Sequence, residues 1–223
     1  SIEEKVSPDL VHIWGTENFW GMLNVYNIFK TKTLLEIQGL LSTIENVYYG
    51  GLNKYDLLKC IGFKEMLLPH LSLLIKKNNL SNKIRHEKRV IKSFDQIVVQ
   101  SNWVEYHIKS INHLARIHKT KIILRDPFLK NEWMNTDSDN KVLFTSSSTP
   151  AAYKGIHILL HAIHCLKNRY PSIKLKIAGG INPNKHHILK DGYTKWLINL
   201  ARKLKIEKNI IWLGSLNAEQ IVE

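Results

Sequence analysis

Lys154 and Gly155 stand where a polar stretch, residues 145–152, gives way to an apolar repeat of Ile156, Leu159, Leu160, Ile163 and Leu166 at helical spacing. Unpaired backbone N–H groups and the helix dipole favour an anion at such a start. A lysine beside them adds a movable positive charge, so these residue types suit a phosphate guest. The competing reading is that Lys154 and the serines Ser146, Ser147 and Ser148 solvate and cap an ordinary helix. Glycines recur at expected strand ends: Gly15, Gly39 after Gln38, the pair Gly179-Gly180, and Gly214. In that place they either let a ligand approach the backbone or simply end a strand. For proton transfer, His12, Glu17, Glu36 and Glu87 lie near expected strand ends or on a charged helix, and the sequence does not choose among them. The His186-His187 pair has no partner at metal-ligand spacing and reads as surface, so no metal is assigned.

The elements that must position these residues follow from periodicity. Leu10-Val11-His12-Ile13-Trp14 is a short strand closed by Gly15-Thr16; Thr16 or Asn18 can cap a helix carrying Phe19, Trp20 and Leu23, and residues 33–37 form the next strand. Residues 40–80 read as an insertion or a flap over a site. Within them Tyr48-Tyr49-Gly50-Gly51 marks a turn, and residues 67–77 an apolar helix ending in Lys76-Lys77. That helix is either a core helix with solvated lysines or a membrane-surface element. A charged helix with Arg85 to Arg89, a strand at 96–99 and another at 121–124 follow. Asn135 to Asn140 is the best linker, which divides the chain into residues 1–139 and 140–223. Beyond it, strands near Val142, Ile173 and Asn209 alternate with helices, the second carrying Tyr193, Trp196, Leu197 and Leu200 on one face; spacings of 30 to 40 residues suit βαβ units. Both ends read as cut.

Composition bounds the partners. The net charge of +13, from 32 Lys and Arg against 19 Asp and Glu, favours anionic ones: nucleotide phosphates, anionic lipid headgroups or nucleic acid. No recognition helix, zinc-finger spacing or aromatic platform is present, so nucleic acid is not expected. No apolar run reaches the length of a membrane span and no signal peptide opens the chain, which makes the cytoplasm the expected location. Cys60 and Cys165 sit far apart in apolar helical context and read as reduced core thiols. No GxGxxG follows the first strand and no Walker pattern occurs, which sets aside dinucleotide oxidoreduction and P-loop hydrolysis. An epimerase would want Tyr-x-x-x-Lys, whereas Tyr193 lies two residues before Lys195.

Six stretches carry a resemblance: Asp9-Leu-Val-His-Ile-Trp-Gly-Thr-Glu17, Ile37-Gln-Gly-Leu-Leu41, Val98-Val-Gln-Ser-Asn-Trp103, Tyr153-Lys-Gly-Ile-His157, Leu175-Lys-Ile-Ala-Gly179 and Trp212-Leu-Gly-Ser-Leu216. Their types and order resemble glycosyltransferase family 4, most of all bacterial members that build capsule or exopolysaccharide. The resemblance implies an α/β, GT-B architecture: two Rossmann-like doubly wound domains facing across a cleft, the first binding the acceptor and the second a nucleotide-sugar donor. It implies retaining transfer from a nucleotide-diphosphate sugar to a glycan or lipid-linked acceptor, with no cofactor or metal. A non-catalytic nucleotide- or glycan-binding protein on the same fold is the alternative. On this mapping Lys154, Gly155, Ser146, Ser147, Gly179, Gly180, Gly214 and Leu216 meet the donor, and Gly15, Thr16 and Gly39 lie on the acceptor side. Glu17, Gln38 and Glu87 are the candidate catalytic positions. The chain departs from the family where Ser146-Ser147-Ser148 replaces a Gly-Arg turn and where Gln38 stands in place of a frequent histidine. The family's Glu-x7-Glu element is expected beyond residue 223, so the chain reads as a fragment with little or no activity of its own. The basic surface and the 67–77 segment imply a peripheral position on an anionic membrane.

Overall fold

The computed structural model describes residues 2–132, 141–181 and 190–222. In chain order its elements are α1 (Ile2–Val6), β1 (Val11–Trp14), α2 (Trp20–Val25), β2 (Thr33–Glu36), α3 (Leu41–Val47), α4 (Lys54–Lys59), α5 (Phe63–Leu67) and α6 (Leu73–Lys92). Then come β3 (Gln96–Val99), α7 (Asn102–Ile111), β4 (Arg116–Lys119), α8 (Asp126–Lys130), β5 (Val142–Ser147) and α9 (Ile156–Leu166). β6 (Lys174–Gly179), α10 (Gly192–Lys203), β7 (Ile210–Gly214) and α11 (Ala218–Val222) complete the chain. They form two compact units, residues 1–46 with 78–123, and residues 47–77 with 124–223.

The first unit holds a parallel sheet of order β1-β2-β3-β4. Its register sets Ile13 beside Leu35, Leu35 beside Ile97 and Ile97 beside Ile117, so one apolar row crosses all four strands. Val90, Ile91, Phe94 and Ile108 pack in the same core. The second unit holds a parallel sheet of order β5-β6-β7, and its core joins Leu175 and Ile177 to Leu160 and Ile163 of α9 and Trp196 and Leu197 of α10. Burying a side chain of this size stabilises by about 1.5–3 kcal/mol. Strand order follows chain order in both sheets, so no reversal of winding falls among the described residues.

Several expectations give way to local geometry. The strand expected at 121–124 lies earlier, at Arg116–Lys119. The Asn112 amide donates to the carbonyls of Ile91 and Phe94, and this turn delivers the Arg116 N–H to the Asp95 carbonyl, which starts β4 there. Ile123 is left 92% exposed. The expected 67–77 helix is divided: Pro69, which has no N–H to give and suits a first turn, opens a single 3-10 turn at Pro69–Leu71. The Ser72 hydroxyl then accepts from the Ile75 N–H, and α6 runs unbroken to Lys92, absorbing the expected charged helix.

The largest change concerns residues 47–77, which belong to the second unit rather than to the first. Leu52, Leu57 and Cys60 enter its core, so this segment is neither a free flap nor an insertion in the first sheet. The linker expected at Asn135 to Asn140, with the division at 139/140, lies outside the described residues, as does the His186-His187 pair. Of the two cysteines, Cys60 is buried, its thiol pushed up to about 12 by burial, whereas Cys165 is exposed on α9 and is not a core thiol.

Candidate functional site

In the second unit the carboxyl ends of β5, β6 and β7 surround a cavity of about 290 Å³, lined by Ser146, Ser147, Ser148, Ala178, Gly179, Ser215, Leu216 and Ile221. Four of the expected donor residues, Ser146, Ser147, Gly179 and Leu216, therefore meet in one place. Chain order cannot show this convergence, but parallel strands ending at one level produce it. The lining mixes serine hydroxyls with the apolar side chains of Ala178, Leu216 and Ile221, and holds no charged side chain. Ser147 is buried and its hydroxyl donates to the Thr149 carbonyl at 2.7 Å, which folds the loop after β5 back on itself.

Gly179 and Gly180 have a structural reason of their own. A Cβ on Gly179, at φ +117°, would lie 1.8 Å from the Ser147 carbonyl oxygen, and one on Gly180 would lie 2.6 Å from that of Ser148. The Gly180 N–H donates to the Ser147 carbonyl at 2.9 Å. These glycines let the β5 loop close over the end of β6, rather than only clearing space for a ligand. Gly214, at φ +71°, faces open space and is fitted by its left-handed conformation alone.

Lys154 and Gly155 do not line that cavity. They close a 3-10 turn, Ala152–Lys154, at the start of α9, with Gly155 at φ +73° and its carbonyl accepting from the N–H groups of Ile158 and Leu159. The Lys154 side chain is exposed, its ammonium 5.4 Å from the centre of the Tyr153 ring. It is a cation with no carboxylate in attendance among the described ion pairs.

Sequence reasoning missed two polar anchors in this unit. His157 is buried between the Tyr193 hydroxyl at 2.9 Å from Nδ1 and the Gly50 carbonyl at 2.9 Å from Nε2. A carbonyl can only accept, so Nε2 carries the proton and Nδ1 accepts from Tyr193. Burial lowers the His157 pKa, against the opposing pull of the Gly50 carbonyl. Its position three residues before Leu160 on the inward face was the available signal. Glu65 is the other anchor: its carboxylate accepts from the N–H groups of Gly62 and Gly192, each at 2.9 Å, and so joins the 62–65 turn to the start of α10.

The first unit gathers a polar cluster at the matching ends of β1, β2 and β3. Gly15, at φ +80°, donates its N–H to the Glu36 carbonyl at 2.8 Å. The exposed Glu17 lies over it, since a Cβ on Gly15 would meet the Glu17 carboxylate, and a Cβ on Gly39 would lie 3.6 Å from that group. Glu36 is the centre of the cluster. Its Oε1 accepts from the amides of Gln38 at 3.1 Å and Gln100 at 3.2 Å, and its Oε2 lies 3.1 Å from His12 Nε2. The His12 ring stacks with Trp14 at 5.8 Å. The structure thus brings His12, Glu17, Glu36 and Gln38 together with Gly15 and Gly39, and adds Gln100, which the sequence analysis had not singled out. Amides and carboxylates set around an oriented imidazole are suited to holding sugar hydroxyls and to moving a proton.

Glu87 does not join that surface. It is fully buried on α6, accepting from the Thr16 hydroxyl at 3.0 Å and from the N–H groups of Leu41 at 2.8 Å and Ser42 at 3.1 Å. Thr16 is buried with it, its hydroxyl turned inward. Both therefore position the turns that carry Gly15 and Gly39. Among the described residues, no group of three His, Cys, Asp or Glu is placed to hold a metal ion, and no helix is long and apolar enough to cross a membrane.

The family model described as Glycosyl transferases group 1 matches residues 128–223, most of the second unit. No curated protein matches the chain. Among solved structures, sucrose-phosphate synthase from Thermosynechococcus elongatus is similar over 99% of this chain and 49% of its own length, with a TM-score of 0.64 at 13% identity. The chain spans about half the length of that structure. The likeness shows an α/β fold of parallel sheets of the GT-B kind. The family match concerns residues 128–223, and the structural likeness concerns the fold.

Proposed function

We propose that this chain is part of a retaining glycosyltransferase that moves a sugar from a nucleotide-diphosphate sugar to a glycan or lipid-linked acceptor in surface polysaccharide synthesis. The observation that carries the reading is a coincidence of place: the family match over residues 128–223 covers the strand ends whose Ser146, Ser147, Gly179 and Leu216 enclose the uncharged cavity. In this reading the cavity takes the uncharged part of the nucleotide, and Lys154 with the start of α9 compensates the diphosphate as it departs. Oriented N–H groups stabilise such developing charge with little reorganisation, and the exposed lysine can close on it. The cluster of His12, Glu17, Glu36, Gln38 and Gln100 orders the acceptor hydroxyls, and Glu87 keeps its turns in register. No cofactor is assigned; the nucleotide sugar is a substrate.

The test is calorimetric. Titrating UDP, GDP and the matching nucleosides into the wild type and Lys154→Ala compares the charge with the base. A charge-assisted contact of about 1.5–3 kcal/mol corresponds to roughly 10- to 150-fold weaker diphosphate binding, with the nucleoside far less affected. The melting temperature should hold, because Lys154 is exposed. Unchanged diphosphate affinity at unchanged melting temperature would show that Lys154 only solvates its turn. Diphosphate binding without turnover of UDP- or GDP-sugars by the full-length protein would favour the non-catalytic alternative.

A further inference from the structure

Another cavity of the second unit shares no lining residue with the one at the strand ends. It measures about 630 Å³, within the range of small-molecule sites, and lies between the 50–53 turn with α4 on one side and α9 with α10 on the other. A neighbouring cavity of about 370 Å³ has Asp56, Lys59, Trp196, Leu200 and Lys203 in common with it, so the two form one continuous groove. Its floor is fixed. The Trp196 ring stacks on Tyr193 at 5.9 Å and meets the His157 ring edge-on at 5.8 Å, and His157 is itself held by the Gly50 carbonyl and the Tyr193 hydroxyl. Ile158, 58% exposed, and Leu200 add apolar wall.

The charged groups of the groove are mostly basic. Lys59 and Lys203 line both cavities, and His161, one helical turn beyond His157, lines the larger. Against them stands one carboxylate, Asp56, and none of the described ion pairs engages Lys59, Lys203 or Asp56. Cations gathered in a concave site attract an anion, and an ammonium without a carboxylate partner has its donors available for one. The remaining walls say what should carry that anion. A nucleobase would want an open aromatic face, but Trp196 is only 8% exposed and Lys59 already lies over the Tyr55 ring, 3.9 Å from its centre. Asn53, Asn199 and Asp56 instead set amide and carboxylate groups along the groove, which suit hydroxyls. We propose that this groove binds an anionic sugar, a hydroxyl-bearing ring with a phosphate or a carboxylate, whose charge meets Lys59 and Lys203 and whose ring lies against Trp196 and Ile158. The groove holds none of the residues assigned to donor or acceptor, and the proposal does not rest on glycosyl transfer, so either can fail alone.

Calorimetric titration of the intact chain with glucose 6-phosphate, glucuronate and glucose tests it. One or both anionic sugars should bind, and glucose about twentyfold more weakly, the product of two exposed charge contacts. The tighter of the two anions identifies the charged group. Lys59→Gln and Lys203→Gln should each weaken that binding about fivefold, at unchanged melting temperature because both lysines are exposed. Ile158→Glu, which sets a carboxylate in the groove from an exposed position, should abolish it. Lys154→Ala should leave it unchanged, whereas a sugar phosphate held at the donor site would be lost in that variant and kept in the groove variants. That reversed pattern overturns the proposal, as do equal binding of glucose, binding that Lys59→Gln and Lys203→Gln leave intact, or no binding of either anion.

Discussion

Glu87 and Glu65 are the same device in two settings. Each is a buried carboxylate that takes backbone N–H groups from a helix start distant in sequence: Leu41 and Ser42 for Glu87, Gly192 for Glu65. The helices that carry them differ. Helix α6 buries Val90 and Ile91 in the first core, so apolar packing and the carboxylate hold it together. Helix α5 turns Phe63, Met66 and Leu67 outward and directs Glu65 inward, so a polar contact does what an apolar face does elsewhere. A buried acceptor can therefore help to dock a short helix whose apolar residues stay exposed.

The comparison can be broken most directly at Glu87. Glu87→Ala leaves two N–H groups and the Thr16 hydroxyl without an acceptor in a closed site. We expect a loss of about 3–5 kcal/mol in urea unfolding, at about 1–3 kcal/mol per orphaned group with partial relaxation. Glu65→Ala leaves only the N–H groups of Gly62 and Gly192, and about 2–3 kcal/mol should be lost. Hydrogen exchange would sharpen the contrast: protection should fall over residues 47–68 with the strands β5 to β7 kept, whereas Glu87→Ala should loosen the ends of β1 and β2. Equal and global loss in both variants would show that α5 is held by more than its carboxylate.

The smallest effect concerns the second anchor on the same segment. Burial lowers the folded pKa of His157 below the unfolded value of about 6.5, so in this interval the unfolded chain binds more protons. The contribution of His157 is then fully present above about pH 6.5 and is lost as pH falls through the folded value. Thermal melts between pH 7.5 and 5 should show that decline, and His157→Gln should flatten it. A slope that persists in the variant would place the titration elsewhere.

The alternating strands and helices, the apolar face of α9 and the glycine-marked strand ends were legible from periodicity and turn residues, because spacing of 2 or 3.6 and glycine's conformational freedom are local properties. The meeting of Ser146, Ser147, Gly179 and Leu216 followed once the strands were parallel. Other features were not local. Which of residues 116–124 would form β4 was decided by the Asn112 amide reaching Ile91 and Phe94. Whether 47–77 belonged to the first or the second unit depended on Leu52, Leu57, Glu65 and the Gly50 carbonyl finding partners more than a hundred residues away. Glu87 and Glu36 were equivalent as letters; full burial made one a support for two turns, and a side chain still 13% exposed left the other at the centre of the polar cluster. The sequence determined by itself which residues could carry charge, turn the chain or enter a core. Only tertiary structure decided which polar groups lost water, because desolvation and the acceptors that compensate it come from distant chain segments.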